Sequence, residues 1–236
     1  MPILDVPYFV QPDGVHCQAT ALKMLATYMD EVLGQPVNAR DIRAIKKSIN
    51  SDSARPIKGS KNNHENMMWW IEREFGGSVD MNRMLTNRPE VARKFVIDSV
   101  RAGMPVIAST SHSNFNLSHV LLVVGYVTRS LEASPLGALP APTDSTTRFV
   151  CHDPYGRFDP SLGSKLWGKR RYDNGLCCAK RYSEIGPGMF VELDIEGIRR
   201  SRTTDNSLGW FYMIGGRRNP RLDQQASRTK AQLCIR

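Results

Sequence analysis

Apolar side chains recur every three or four residues in four stretches of the first hundred residues, a spacing that predicts amphipathic helices. In the first stretch, over 17–29, the apolar positions are Leu22, Leu25, Ala26 and Met29. The next three helices are predicted over 39–49 with Asn38 as N-cap, over 64–75 with Asn63 as N-cap, and over 89–102 with Pro89 at the first position. The polar stretch 50–62 between the second and third helices is predicted to be a loop.

From residue 104 onward the pattern changes to short, strongly apolar runs of the kind that form strands. The predicted strands span 104–110, 119–127, 147–152, 189–194 and 209–215, and an extended segment at 3–10 precedes the first helix. Because 119–127 and 147–152 flank a single polar loop, we expect them to pair as an antiparallel hairpin. Helices followed by antiparallel strands predict an α+β fold.

The overall composition excludes several classes of protein. The 236 residues are 41% hydrophobic and 23% charged, which rules out wholesale disorder, and no apolar run approaches the roughly 18 residues of a membrane span. Five scattered cysteines without a CxxC pair predict reduced thiols, with no disulfide framework, zinc site or other cofactor. The first residues lack the basic and apolar parts of a signal peptide, so we expect the chain to be cytoplasmic as synthesised, and release would need another route.

The net charge of +9 is concentrated towards the C-terminus. Residues 197–236 hold nine Lys/Arg against two Asp/Glu, and residues 165–181 hold six Lys/Arg against one Asp. A positive surface attracts anionic polymers such as nucleic acid, anionic lipid or cell wall, and the alternative is a solvated face that only improves solubility. The basic C-terminal region is therefore a candidate surface for an anionic partner.

The first candidate for chemistry is Cys17, which opens the first predicted helix. At a helix start the dipole and the free N–H groups stabilise a thiolate. Gln11 lies six residues upstream, where its amide is placed to donate to a developing oxyanion. The alternative for Cys17 alone is a small buried core residue.

Two further candidates come from the predicted hairpin. His119 begins an apolar strand that would hold its imidazole rigidly, as a thiol nucleophile requires of its base, and His112 on the preceding loop is the rival base. Asp153 follows the next strand, where hairpin pairing would bring it beside His119 to orient the ring. Taken separately, His119 also fits a sheet-edge histidine, and Asp153 fits the start of an Asp-Pro turn.

The order of these residues resembles the papain-like fold, and most closely the C39-like peptidase family. The matching motifs are Val6-Pro7-Tyr8 followed by Gln11, then Cys17, Gly103-Met-Pro-Val-Ile107, His119 through Gly125-Tyr126, and Asp153-Pro-Tyr-Gly156. Gln18 departs from the glycine that often follows the cysteine. The resemblance covers about residues 3–160, and it implies a catalytic core over 1–160 with a basic extension over 161–236 that completes or decorates the same domain.

The leading hypothesis is a cysteine hydrolase of amide bonds with Cys17, His119, Asp153 and Gln11 in the catalytic roles. The substrate would be a polypeptide or the peptide part of peptidoglycan, and the same residues would also serve acyl transfer. The alternative from another class is a non-enzymatic protein that binds nucleic acid through its basic half. CHAP-type cell-wall hydrolases also combine a cysteine at a helix start with a strand histidine, but the position of Gln11 fits the C39-like family better.

Overall fold

The structure is a computed structural model that describes residues 3–13, 15–60, 63–110, 119–128, 147–154, 157–158, 172–173, 191–193, 195, 198, 200–201 and 208–218. Its helices are α1 (Cys17–Val32), α2 (Ile42–Ser51), α3 (His64–Phe75) and α4 (Pro89–Arg101). Its strands are β1 (Val79–Thr86), β2 (Val106–Thr110), β3 (His119–Thr128), β4 (Thr147–His152), β5 (Arg157–Phe158), β6 (Tyr172–Asp173), β7 (Val191–Leu193), β8 (Arg200–Ser201) and β9 (Leu208–Arg218).

Three of the four predicted helix starts are confirmed, and one is wrong. Asn63 caps α3 through a hydrogen bond that its side chain accepts from the Glu65 N–H, and Pro89 is the first residue of α4. α2 begins at Ile42 rather than at residue 39, and its N-cap is Asp41, which accepts from the Ala44 N–H at 2.8 Å. Asn38 and Arg40 both bond to the buried carboxylate of Asp30, and the helix begins only after them, so Asn38 lies three residues before the N-cap.

Four strands were not predicted: β1, and the two-residue strands β5, β6 and β8, which are too short to give a hydrophobic pattern. β1 buries only Val79 and Met81 on its inner face, and the register with its neighbour shifts between Met84 and Leu85, so the alternation that identifies a strand breaks down. The other strands match their predictions with small changes in length. The hairpin of β3 and β4 is confirmed as antiparallel, with Leu122 opposite His152 and Thr128 opposite Thr147.

The antiparallel sheet has the order β1-β9-β2-β3-β4-β7, and β8 pairs with the start of β9. β9 therefore comes from the last part of the chain but lies between two strands from its first half. Gly215 and Gly216 allow this insertion, because a Cβ on Gly215 would lie 2.6 Å from the Ser99 hydroxyl of α4 and a Cβ on Gly216 would collide with the Asp80 carbonyl of β1. The division at residue 160 remains a prediction.

The sheet has a hydrophobic cluster on each face because alternate side chains of a strand point in opposite directions. Val120, Leu122 and Val124 of β3 pack in the cluster of α1, α2 and α3, whereas Leu121 and Val123 pack in the cluster of α4. The first three helices thus cover one face and α4 covers the other. The candidate site lies where His119, the first residue of β3, approaches Cys17, the first residue of α1.

Candidate active site

Cys17 is the first residue of α1, and its side chain is partly exposed to solvent. The preceding residue, His16, is the N-cap, but its side chain makes no capping hydrogen bond. The first N–H groups of a helix have no partner within that helix, so the amide and the sulfur of Cys17 both lie at the positive end of the dipole. This position favours an anion, whether a thiolate or an oxygen that becomes negative beside it.

His119 and Asp153 form a buried pair at the end of the β3–β4 hairpin. His119 Nε2 and Asp153 Oδ1 are 2.7 Å apart, and the two residues are only 6% and 1% exposed. Antiparallel pairing explains the contact, since β3 begins at His119 and Asp153 follows the last residue of β4. The two side chains are therefore in contact, as expected from the predicted hairpin.

The imidazole of His119 also forms a side-chain hydrogen bond with Cys17. Because Nε2 faces Asp153, Nδ1 is the ring nitrogen left for the sulfur. Burial alone would disfavour the imidazolium, but the charge and hydrogen bond of Asp153, followed by those of Cys17, raise the pKa of His119 to about 10. The ring is therefore positively charged at neutral pH, between a carboxylate and a sulfur.

The extended segment before α1 is held to the turn that carries Asp153 by three hydrogen bonds. His152 Nε2 lies 2.9 Å from the Val6 carbonyl, the Tyr8 hydroxyl donates to the Asp153 carbonyl at 2.8 Å, and the Gln11 N–H donates to the Pro154 carbonyl at 2.7 Å. Burial lowers the pKa of His152 to about 4, so its ring is neutral and Nε2 donates to Val6. Tyr8 is fully buried, with its ring edge against His152.

Gln11 is buried beside the start of α1 but is already partly engaged. Its Nε2 donates to the Asp13 carbonyl at 2.5 Å, and its Oε1 has no hydrogen-bond partner among the described residues. A carboxamide NH₂ carries two hydrogens, so this contact occupies one of them. The second hydrogen is the one available to a substrate oxygen.

From the sequence, no role was assigned to two polar residues of this loop, Asp13 and His16. Asp13 Oδ1 accepts from the Val15 N–H at 2.9 Å and lies 2.5 Å from His16 Nδ1. Burial alone would raise the pKa of the Asp13 carboxyl, but His16 and the Val15 N–H together hold it below its usual value. The available signal was the Pro12-Asp13-Gly14 turn directly before a helix, because aspartate in such a turn commonly bonds a backbone N–H two residues later.

The remaining candidates do not join this cluster. His112, the rival base, lies outside the described residues, as do Cys177, Cys178 and Cys234. Cys151 is fully buried, and burial together with the nearby Asp153 raises the pKa of its thiol. Within the described ranges, no group of three or more His, Cys, Asp and Glu side chains is arranged to hold a metal ion.

Little of the basic C-terminal region falls within the described residues. Arg217 is exposed on β9 and forms an ion pair with Asp80 of β1, with 3.0 Å between Nε and Oδ2. Arg218 ends the same strand, and Arg221 lies outside the described residues. Among the helices that the structure describes, none combines the length and the apolar character needed to span a bilayer.

Comparison with known proteins identifies the family. Residues 3–174 match the Peptidase_C39 like family, a range that includes all four candidate site residues and extends beyond residue 160. Comparisons with the curated proteins and with the solved structures found no match. The matched range covers well over half of the chain. The protein therefore belongs to the Peptidase_C39 like family and has its α+β papain-like fold, and this membership indicates cysteine peptidase activity in general.

Proposed function

We propose that the protein hydrolyses amide bonds with Cys17 as nucleophile, His119 as acid and base, and Asp153 as the group that orients His119. The observation that carries the proposal is the 2.7 Å contact between His119 and Asp153, together with the influence of the Cys17 side chain on the pKa of His119. A nucleophile, a base in contact with it and a third group that orients the base are the parts needed for acyl transfer.

The charge on His119 refines the first step of the reaction. The sequence alone suggested that His119 removes the proton from the thiol during attack. Because the pKa of His119 is about 10, we propose that its ring is an imidazolium in the resting site. The position of Cys17 at the positive end of α1 favours a thiolate beside it. Attack then needs no prior proton transfer, and the imidazolium is ready to protonate the leaving group.

The chemistry balances with these groups alone. The thiolate of Cys17 bonds to the substrate carbonyl carbon, and the C–N bond breaks as His119 gives its proton to the leaving amine. Neutral His119 then takes a proton from water, whose oxygen attacks the thioester carbon. The C–S bond breaks, the acid product leaves, and the thiolate–imidazolium pair is restored. If an amine replaces water in the second stage, the same residues carry out acyl transfer.

We propose that the oxyanion binds to the N–H of Cys17 and to the second amide hydrogen of Gln11. Cys17 supplies an N–H that no intrahelical bond uses, and Gln11 is buried in the loop that leads into α1. Removal of one oxyanion donor typically reduces kcat by about 10²–10³-fold. We therefore expect a loss of that size in Gln11→Ala.

The proposed substrates are polypeptides and the peptide part of peptidoglycan. The net charge of +9 supports a polyanionic substrate or partner, because a positive surface raises the rate of encounter with anionic polymers. The basic C-terminal region would make this contact and would take no part in the chemical step. Binding of nucleic acid without catalysis is the competing function, and the experiment below separates the two.

The decisive experiment compares wild type, Cys17→Ala, His119→Ala and His112→Ala on a generic peptide mixture and on purified peptidoglycan, with the products read by mass spectrometry. We expect cleavage by wild type and His112→Ala only. Cleavage by Cys17→Ala would overturn the proposal. Salt-dependent nucleic-acid binding that survives Cys17→Ala, with no cleavage by wild type, would favour the non-enzymatic function.

A second measurement tests the nucleophile without a substrate. Cys17 is partly exposed and contacts an imidazolium, whereas Cys151 is fully buried and has a raised thiol pKa. Limiting iodoacetamide near neutral pH should therefore label Cys17 before Cys151 and before the three cysteines outside the described residues. Labelling of Cys177 or Cys178 with Cys17 unreacted would refute the assignment of the nucleophile.

A further inference from the structure

Asp13 lies at the centre of the loop between Gln11 and Cys17. Its backbone carbonyl accepts from the Gln11 side chain at 2.5 Å. Its carboxylate accepts from the Val15 N–H at 2.9 Å and contacts His16 Nδ1 at 2.5 Å. One residue thus holds the Gln11 amide through its main chain and the entry to α1 through its side chain.

His16 connects the Asp13 loop to the first turn of α1. Its carbonyl accepts the first helical hydrogen bond, from the Thr20 N–H at 2.9 Å, and also a bond from the Thr20 hydroxyl. Its ring is nearly buried, with 10% of the side chain exposed, and its Nδ1 is committed to Asp13. A shift of the Asp13 carboxylate would therefore move the residue that fixes the position of the Cys17 N–H.

The proposed oxyanion donors flank Asp13 on both sides. Gln11 precedes it by two residues and is also tied to the Asp153 turn through its N–H bond to Pro154. Lys46 of α2 supports the loop from outside, with its ammonium 2.8 Å from the Val15 carbonyl. The distance between the two donors is consequently set by a loop in which Asp13 contacts Gln11, Val15 and His16.

We propose that Asp13, held by His16, is a positioning residue that fixes the Gln11 amide and the Cys17 N–H at the separation needed to bind an oxyanion. This inference rests on the proposed function, since it assumes that both groups act as donors. His16 is not a second general base in this scheme, because its Nδ1 bonds to Asp13 and the described contacts of its ring include none with the Cys17 sulfur. The Asp13–His16 pair thus serves the oxyanion, and the Asp153–His119 pair serves the nucleophile.

A double-mutant cycle tests the proposal through kinetics. Asp13→Ala should reduce kcat by between about tenfold and about 100-fold, since small displacements of a positioned group have effects of that size, and should change KM less than about twofold. In the Gln11→Ala background, the same substitution should have less than a third of its effect, because the donor it positions is gone. Asp13→Asn should retain most of the activity, since its amide oxygen can accept the same bonds from the Val15 N–H and from a protonated Nδ1 of the His16 ring.

Asp41→Ala is the matched control. Asp41 also accepts a backbone N–H at the start of a helix, at 2.8 Å from Ala44, but it caps α2 rather than the loop before Cys17. Its removal should lower the free energy of unfolding by about 1 kcal/mol and leave kcat unchanged. Should Asp13→Ala fail to fold, the cycle can be built on Asp13→Ser, whose hydroxyl can still accept from Val15 but is too short to hold His16.

A readout without turnover keeps this inference separate from the proposed function. In a Cys17→Ala background, the side-chain NH₂ resonances of Gln11 should shift on Asp13→Ala and stay in place on Asp41→Ala. Unmoved resonances, or equal kinetic effects of Asp13→Ala with and without Gln11, would overturn the positioning role. Loss of the proposed function would show differently, as cleavage that does not depend on Cys17 or as no cleavage by wild type.

Discussion

The hydroxyl of Tyr8 donates to the backbone carbonyl of Asp153 at 2.8 Å and so joins the extended N-terminal segment to the turn that carries the proposed orienting carboxylate. The two residues are 145 positions apart in sequence, and both are buried. The Asp153 side chain is 2.7 Å from His119, so Asp153 connects Tyr8 to the imidazole. Through this contact the segment that leads to Gln11 also supports the turn of Asp153.

We expect Tyr8→Phe to lower both stability and kcat. The substitution leaves the buried Asp153 carbonyl without this donor, which should reduce the free energy of unfolding by about 1–3 kcal/mol. Tyr28→Phe is a matched control, because the Tyr28 hydroxyl also donates to a backbone carbonyl, that of Gly103 at 3.0 Å, away from the site. Urea denaturation should show similar losses for the two variants, and kinetic assays should show a fall in kcat for Tyr8→Phe alone. Equal activity of both variants would remove Tyr8 from the support of the site.

The activity should fall on the alkaline side as pH rises through about 10. His119 must be protonated to deliver its proton to the leaving amine, and its pKa is raised to about 10 with the Asp153 carboxylate as the main favourable influence. Asp153→Asn removes this negative charge, so the alkaline limb should move to lower pH. The measurement is kcat/KM of each protein as a function of pH. A wild-type limb near the ordinary histidine pKa of about 6.5 would contradict an imidazolium in the resting site.

His152 should make the fold sensitive to acid. Its pKa is about 4 in the folded protein and 6.5 in the reference state, so between these values the unfolded chain binds a proton that the folded chain does not. Stability should be complete above pH 6.5 and decline as pH falls towards 4, by about 3 kcal/mol in all from this residue.

His152→Gln tests that assignment, because the glutamine amide does not titrate in this range and can still donate to the Val6 carbonyl. Chemical denaturation at pH 7 and pH 4 should show a smaller loss of stability for the variant than for wild type. His119 does not interfere, since its raised pKa affects stability in the opposite range, where stability declines as pH rises from about 6.5 to 10. Equal losses in the two proteins would place the acid sensitivity elsewhere.

Charge reversal of the basic C-terminal region should weaken binding to an anionic polymer. The variant is the triple substitution of Arg217, Arg218 and Arg221 by Glu, and its effect should be largest at low salt, where the Debye length is about 10 Å at 0.1 M. Turnover of a small soluble peptide should change little. The measurements are polymer pull-down across a salt series and peptide kinetics. The Arg217–Asp80 ion pair is exposed, so its loss should cost less than about 1 kcal/mol.

The control variant reverses Arg83, Arg88 and Lys94, which alters the net charge by the same amount at other exposed positions. Equal weakening of polymer binding in both variants would show that net charge, rather than the C-terminal region, attracts the polymer. A lowered melting temperature with equal loss on small and polymeric substrates would show that the three C-terminal arginines serve the fold instead.

The elements that local patterns describe were predicted best. Apolar spacing identified α1, and Asn63 and Pro89 marked the starts of α3 and α4, because these signals lie within a few residues of the elements they define. The predicted start of α2 was wrong because Asn38 and Arg40 both bond to Asp30 of the preceding helix, and α2 begins only after them, with Asp41 as its N-cap. The position of β9 between β1 and β2 could not be predicted, since it depends on pairing between distant residues such as Val79 and Arg218.

In the candidate site, too, the residues at the ends of helices and strands were predicted, whereas the supporting residues in irregular segments were not. Cys17, His119 and Asp153 stand at the ends of predictable elements. The predicted hairpin indicated that His119 and Asp153 meet, and the resemblance to the C39-like family implied that Cys17 joins them. Tyr8 supports the site through a bond to the Asp153 carbonyl, and Asp13 through bonds to the Val15 N–H and the His16 ring. Both residues lie in irregular segments. Such contacts depend on the exact path of the loop, which hydrophobic patterning does not record.

The insertion of β9 has a consequence for how the protein is made. A nascent chain that has emerged as far as Asp153 already contains every side chain of the proposed catalytic machinery, yet the strand that separates β1 from β2 has not been synthesised. Until residues 208–218 leave the ribosome, the facing edges of these two strands have unpaired backbone groups. We therefore expect ribosome-stalled chains that end before residue 208 to be inactive and sensitive to added protease. Translation itself would delay the onset of peptidase activity until β9 has been synthesised.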